Sequence, residues 1–211
     1  MQQLLEGKKR FKEFNDSEYS MVKLSEVSII RRGASPRPIQ DPKWFSKTGR
    51  GWIRIKDVTL SDTYLMETSQ YLSELAVEKS VKVDPGDLIM SICATIGVPR
   101  IVGIPACIHD GFVVFREFEK YIDKFFLYQY ISFISAKISD SGQPGTQKNI
   151  NTSIVGGIKV PKFSLIEQVK IASLLSNLDT EISILEKTLA AYKQQKRGLM
   201  QQLLTGKKRL N

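Results

Sequence analysis

Along the last fifth of the chain, apolar residues recur in alternating steps of four and three: Ile171, Leu175, Leu178, Ile182, Leu185, Leu189, Tyr192, then Lys196, Leu199 and Leu203. Such steps keep side chains on one stripe of a helix with 3.6 residues per turn. A seven-residue repeat sustained this long predicts a coiled coil, and Lys196 is its one polar seam position. Ser164 and Glu167 fit a capping box at the start, with Ser164 accepting from the backbone and Glu167 reaching back. Gly206, followed by Lys207, Lys208 and Arg209, marks the stop and puts cations at the negative end of the helix dipole. About 40 residues at ~1.5 Å each make a rod of roughly 60 Å. The stripe must leave water, and a rod of that length overhangs a domain of roughly 150 residues, so a helix from a second chain is the expected partner.

Upstream the pattern is mixed. Val22 to Arg31 predicts a short helix leading into a loop with Gly33, Pro36 and Pro38. Trp52-Ile53-Arg54-Ile55-Lys56 alternates apolar and basic, which predicts a half-buried strand. Asp84-Pro85-Gly86-Asp87 is a turn before the β-rich run Leu88 to Ile92, and Val98 to Ile104 and Phe112 to Phe115 predict further strands. Ile122 to Ile138 predicts a helix, Ser141 to Asn151 a loop, and Gly157 to Val160 a last strand. The expected fold class is α+β: one globular domain of mixed strands and helices with a long C-terminal coiled-coil helix.

A long-range repeat changes that picture. MQQLLEGKKR at residues 1–10 returns as MQQLLTGKKR at residues 200–209, differing only at Glu6 against Thr205. Self-similarity at long period points to a duplicated unit. The chain reads as one full unit preceded by the tail of another. The expected divisions are residues 1–14, the end of such a helix; 15–163, a globular domain; 164–206, the long helix; and 207–211, a basic tail.

Composition adds a bounded set of partners. With 42% hydrophobic and 25% charged residues, the chain can bury a real core. No signal peptide or membrane-length apolar run is present in the sequence, and Cys93 and Cys107 read as free thiols in a reducing compartment, so the expected location is cytoplasmic. The net charge of +9 is unevenly spread. Residues 21–60 hold nine Lys/Arg against three Asp/Glu, residues 61–140 seven against eleven, and residues 141–211 eleven against four. Two basic regions around an acidic middle fit a directed face for phosphate backbones, against the plainer alternative of a solvated basic surface.

Catalytic signals are mostly missing. His109 is the single histidine and reads as structural, and no glycine-rich phosphate loop or Asn-Pro-Pro-aromatic tetrapeptide occurs. Asp41-Pro42-Lys43 has an acid-x-lysine spacing found in nucleases but no evident partner acid. The expectation is a non-catalytic chain with no cofactor and no metal. Candidate DNA contacts are Arg31, Arg32, Arg37, Lys43, Lys47, Arg50, Arg54 and Lys56, interleaved with Trp44, Phe45 and Trp52, because arginine forks clamp phosphates or read guanine edges. Gln143, Thr146, Gln147, Lys148 and Asn149 offer further polar groups, including amides of the kind that pair with adenine. Core packing is the favoured reading of the two tryptophans. Arg54 and Lys56 stand equally well as the solvent face of a strand, and residues 142–149 as a structural turn.

The repeated decapeptide, Trp52-Ile53 with Asp57-Val58, Pro85-Gly86-Asp87-Leu88-Ile89, and Gly145-Thr146-Gln147-Lys148-Asn149-Ile150 followed by Val160-Pro161 and Glu167-Gln168 together resemble the DNA specificity subunits of type I restriction–modification systems. Members of that family typically carry two target-recognition domains separated by two antiparallel helices. One domain and one complete helix make this chain resemble a half-length form. The resemblance implies that it selects double-stranded DNA for methyltransferase subunits, and in a restriction complex also for the restriction subunit. The missing half and the seam above together lead to the expectation of a homodimer that reads an interrupted inverted repeat. An assembly role, pairing with a full-length specificity subunit or a methyltransferase, is the alternative.

Overall fold

The computed structural model describes residues 2–140 and 150–208. The chain divides into two compact units, Met1–Ile171 and Ala172–Asn211. The first is built on three sheets. A two-stranded ladder pairs β1 (Ser20–Lys23) antiparallel with β11 (Lys159–Lys162) and so ties the two ends of the unit together. A five-stranded sheet runs in the order β2 (Ile29–Arg32), β10 (Phe112–Arg116), β7 (Leu88–Ser91), β8 (Pro99–Val102), β4 (Tyr64–Leu65). A four-stranded sheet runs β5 (Tyr71–Leu72), β3 (Phe45–Ile53), β9 (Ala106–Ile108), β6 (Val81–Val83), with Trp52 beside Cys107 in the parallel β3–β9 pair.

The main core draws on both larger sheets: Ile53, Val83 and Ile108 from one meet Ile89, Val102 and Phe112 from the other. β7, β9 and β10 are buried on both faces, and for that reason they read in sequence as unbroken apolar runs. A second cluster, Trp44, Trp52, Leu72, Ala76 and Cys107, also packs on the four-stranded sheet. Both tryptophans are thus core residues.

Seven helices complete the described residues: α1 (Gln2–Leu5), α2 (Leu24–Val27), α3 (Ile55–Leu60), α4 (Glu74–Val77), α5 (Lys124–Asp140), α6 (Thr152–Gly157) and α7 (Leu165–Leu204). The predicted strands at 88–92, 98–104 and 112–115, and the helix at 122–138, are present within a few residues. Three expectations need correction. Val22 to Arg31 is not one helix: its ends join β1 and β2, and only Leu24–Val27 turns. The strand at Trp52 stops at Ile53, because Asp57 takes the Arg54 amide at 2.8 Å and starts α3. The last strand begins at Lys159, after α6, whose cap is Asn151 accepting from the Ile154 amide at 2.9 Å.

α7 begins as the capping pattern predicts in one half and departs from it in the other. The Glu167 amide donates to the Ser164 hydroxyl at 3.3 Å. The Glu167 carboxylate instead accepts a two-pronged contact from Arg10, with Nε at 2.8 Å from Oε1 and the second prong reaching Oε2. Both side chains are nearly inaccessible. The segment 2–14 is therefore folded into the first unit. Along α7, Ile171 and Leu175 are already buried in the chain, whereas Leu178, Ile182, Leu185, Leu189, Tyr192, Leu199 and Leu203 are exposed. The free seam is shorter at its start than the repeat predicts.

Candidate nucleic-acid interface

β2 is an edge strand, and it carries Arg31 and Arg32 with both side chains exposed. Just beyond it, Gly33 lies against the loop after β9: a Cβ there would sit 2.1 Å from the His109 carbonyl oxygen, so only glycine permits the approach. That contact brings the residues after β2 onto Asp110. Arg32 Nε donates to the Asp110 carbonyl at 2.8 Å, the Ser35 hydroxyl to Oδ1 at 2.8 Å, and Arg37 to Oδ2 at 2.8 Å. Burial raises the Asp110 carboxyl, but the Ser35 hydroxyl and the Arg37 charge outweigh it and hold it below its ordinary value. Asp110 stays ionised and orients the exposed Arg32 and Arg37.

His109 stands beneath this corner, with its ring centroid 4.8 Å from Phe112 and 5.7 Å from Trp52. Nδ1 accepts from the Gly111 amide at 2.9 Å. Burial, and then the positive charge of Arg54, push its pKa down to about 4. It is a neutral structural acceptor at pH 7. Burial also raises the Cys93 thiol there, and Cys107 in the core is pushed up to about 11. Both cysteines are free.

A second basic group surrounds Trp44. Asp41 caps the turn Pro42–Trp44, accepting from the Lys43 amide at 3.1 Å and pairing with Lys43 Nζ at 2.7 Å, which accounts for the acid-x-lysine spacing. Lys43 Nζ lies 4.6 Å and Lys79 Nζ 5.2 Å from the Trp44 ring centroid. Lys47 is exposed on β3, beside a surface depression lined by Phe45, Gln70 and Tyr71. Lys56 is exposed on α3.

The predicted basic residues are thus divided. Arg32 and Arg37 meet at Asp110, with Arg31 next to Arg32 on β2, while Arg54 acts on His109 through its charge. Lys43 sits at the Trp44 corner. Arg50 is committed inward, donating to the Val83 carbonyl at 3.0 Å and pairing with Asp84, so its guanidinium braces β3 against the turn at 84–87. Gln143, Thr146, Gln147, Lys148 and Asn149 lie outside the described residues. Lys79 escaped sequence reasoning because it follows an acidic helix, and only the fold carries it to Trp44. Among the described residues, no cluster of His, Cys, Asp and Glu could hold a metal ion, and no helix is long and apolar enough to cross a membrane.

The chain thus combines an α+β domain with arginines at a sheet edge and a 40-residue helix that follows it in sequence. Comparison with known proteins makes the class specific. The family described as type I restriction modification DNA specificity domain matches residues 16–194, and the chain belongs to that family. The putative type I restriction enzyme MjaX specificity subunit of Methanocaldococcus jannaschii is 33% identical over 137 residues, covering 64% of this chain and 32% of that protein. The MjaVIII specificity subunit of the same organism is 27% identical over 206 residues, covering 92% of this chain and 47% of its own length. The chain therefore spans less than half the length of these relatives. Among solved structures, the HsdS subunit of Thermoanaerobacter tengcongensis matches with a TM-score of 0.65 at 20% identity, over 88% of this chain and 44% of that one. The S subunit of a type I restriction-modification system from M. genitalium matches with a TM-score of 0.62 at 13% identity, over 91% and 47%. These likenesses establish the fold.

Proposed function

We propose that the chain acts as a half-length specificity subunit, reading DNA as a homodimer and presenting the site to methyltransferase subunits. The carrying observation is the exposed apolar line on α7 from Leu178 to Leu203, far more apolar surface than a helix leaves to water without a partner. Two copies pair these lines antiparallel about a two-fold axis, so that each presents the same patch to the other. Each dimer then carries two identical readers in inverted orientation, which selects an inverted repeat interrupted by a spacer. Half-site centres fall ~10 bp apart or at multiples of it, by analogy with other two-fold readers.

The arginines at the Asp110 corner and the lysines around Trp44 supply phosphate contacts that set register, and exposed side chains near them read base edges. S-adenosylmethionine and the methyl-transfer chemistry belong to the methyltransferase subunits, and the restriction subunit joins the same assembly. Sedimentation equilibrium over a concentration series tests the first step, with a species of twice 23.9 kDa expected. Selection from random duplexes tests the second: a symmetric, interrupted site is expected, and an asymmetric site rejects the homodimeric reader. A chain that stays monomeric but pairs with a full-length specificity subunit favours the assembly role instead.

A further inference from the structure

Within the repeated decapeptide, residues 2–9 and 201–208 share a backbone shape as well as a sequence. In the first copy, Glu6, Gly7 and Lys9 donate their amides to the carbonyls of Gln2, Leu4 and Gln3 at 3.0, 3.1 and 2.9 Å. In the second, Thr205, Gly206 and Lys208 donate to Gln201, Leu203 and Gln202 at 3.1, 3.1 and 3.1 Å. Gly7 and Gly206 stop their helices in the same left-handed conformation, at φ of 70° and 69°.

The two copies differ in what covers them. Leu5 is fully buried, while its counterpart Leu204 is 84% exposed. Gly7 lies under the Tyr19 ring, and the Tyr19 hydroxyl donates to the Glu6 carbonyl at 3.2 Å, whereas Gly206 has nothing within 4 Å of a would-be Cβ. Arg10 is clamped by Glu167 and lies 5.2 Å from the Phe163 ring centroid and 5.4 Å from that of Tyr19. The first unit therefore contains a formed receptor for this peptide, made by Tyr19, Phe163, Glu167 and α5. Residues 200–208, of nearly the same sequence and with the same cap, are exposed.

We propose that residues 200–209 of one copy seat in this receptor on a second copy, in place of that copy's own residues 1–10. Leu204 then fills the Leu5 socket, and Gly206 comes to lie under Tyr19 as Gly7 does. The inference rests on the reading that copies of this chain associate, and it adds where the end of each rod is held. The single difference between the peptides sets the balance of the exchange. Glu6 lies 3.7 Å from Lys137 and 2.6 Å from Lys8, contacts that Thr205 has no charge to make. The resident peptide also has the advantage of being tethered. Glu6→Thr removes the charge advantage, and salt weakens it.

The test uses the full chain with a photoreactive phenylalanine in place of Leu204, mixed as light and isotope-labelled forms so that links between copies are distinguished from links within one. Mass spectrometry should place inter-chain links at residues 19, 121–137 or 163–167, with yields rising several-fold in the Glu6→Thr and Leu5→Asp backgrounds. A fluorescent peptide of residues 200–209 should bind the Glu6→Thr chain saturably and be displaced by unlabelled peptide 1–10. Links only to another α7, or only within one chain, in a sample that sediments as a dimer overturn the end-docking and leave the rod pairing standing. A monomer at every concentration, without links and without peptide binding, overturns both.

Discussion

At the scale of single residues, one acid organises the arginine corner. Asp110 holds Arg37 by its carboxylate and Arg32 by its carbonyl, so the fold itself positions both cations. Arg32→Ala and Arg37→Ala should weaken DNA binding about equally for all sequences, each lowering the slope of log affinity against log salt by about 1, read by titration at several salt concentrations. Arg50→Ala should do the reverse, leaving the salt slope and costing stability, because its donors are bonded to Val83 and Asp84. His109 gives a pH signature. Its pKa in the folded chain is depressed to about 4 from an ordinary 6.5, so the unfolded chain takes up the proton first. The stability it supports is complete above pH 6.5, falls as the pH drops toward 4, and is flat below that. The full loss is on the order of 3 kcal/mol. His109→Asn keeps an acceptor for the Gly111 amide and should flatten urea midpoints measured between pH 7 and pH 4.5.

At the scale of elements, the start of α7 is held by a contact that crosses almost the whole sequence. Glu167→Gln should destabilise the first unit by roughly 3 kcal/mol, because it leaves Arg10 charged in a site where the pair is nearly inaccessible. Thermal unfolding followed by circular dichroism measures this, and Arg10→Met with Glu167→Leu should recover most of the loss. The same contact shows where sequence reading reaches its end. Ser164 and Glu167 have the spacing of a capping box, and the hydroxyl obeys it, but the carboxylate follows a partner 157 residues away. Val22 to Arg31 failed as a helix for a similar reason, since β1 and β2 answer to partners at 159–162 and 113–116. The strands β7 and β10 were legible because burial on both faces makes them plainly apolar, and α7 because its stripe is long. The arginine corner was not legible, because Arg32 and Arg37 converge on Asp110 only once the fold brings residues 32–37 beside residue 110.

At the scale of the whole molecule, α7 carries an apolar line that no described part of the chain covers from Leu178 onward. Ile182→Asp combined with Leu185→Asp places charges in the middle of that line. The variant should sediment as a monomer with an unchanged circular dichroism signal for the first unit, and its affinity for a two-half-site duplex should fall to that for a single half-site. An unchanged dimer would exclude the seam. The pairing of β1 with β11, of Arg10 with Glu167 and of Glu13 with Lys170 has a mechanical consequence. Tension entering through residues 2–10 and leaving through the first turns of α7 crosses from one end of the unit to the other at this seam. It bypasses the two larger sheets. Under load the clasp yields first, and the two larger sheets with the arginine corner keep their shape until it does.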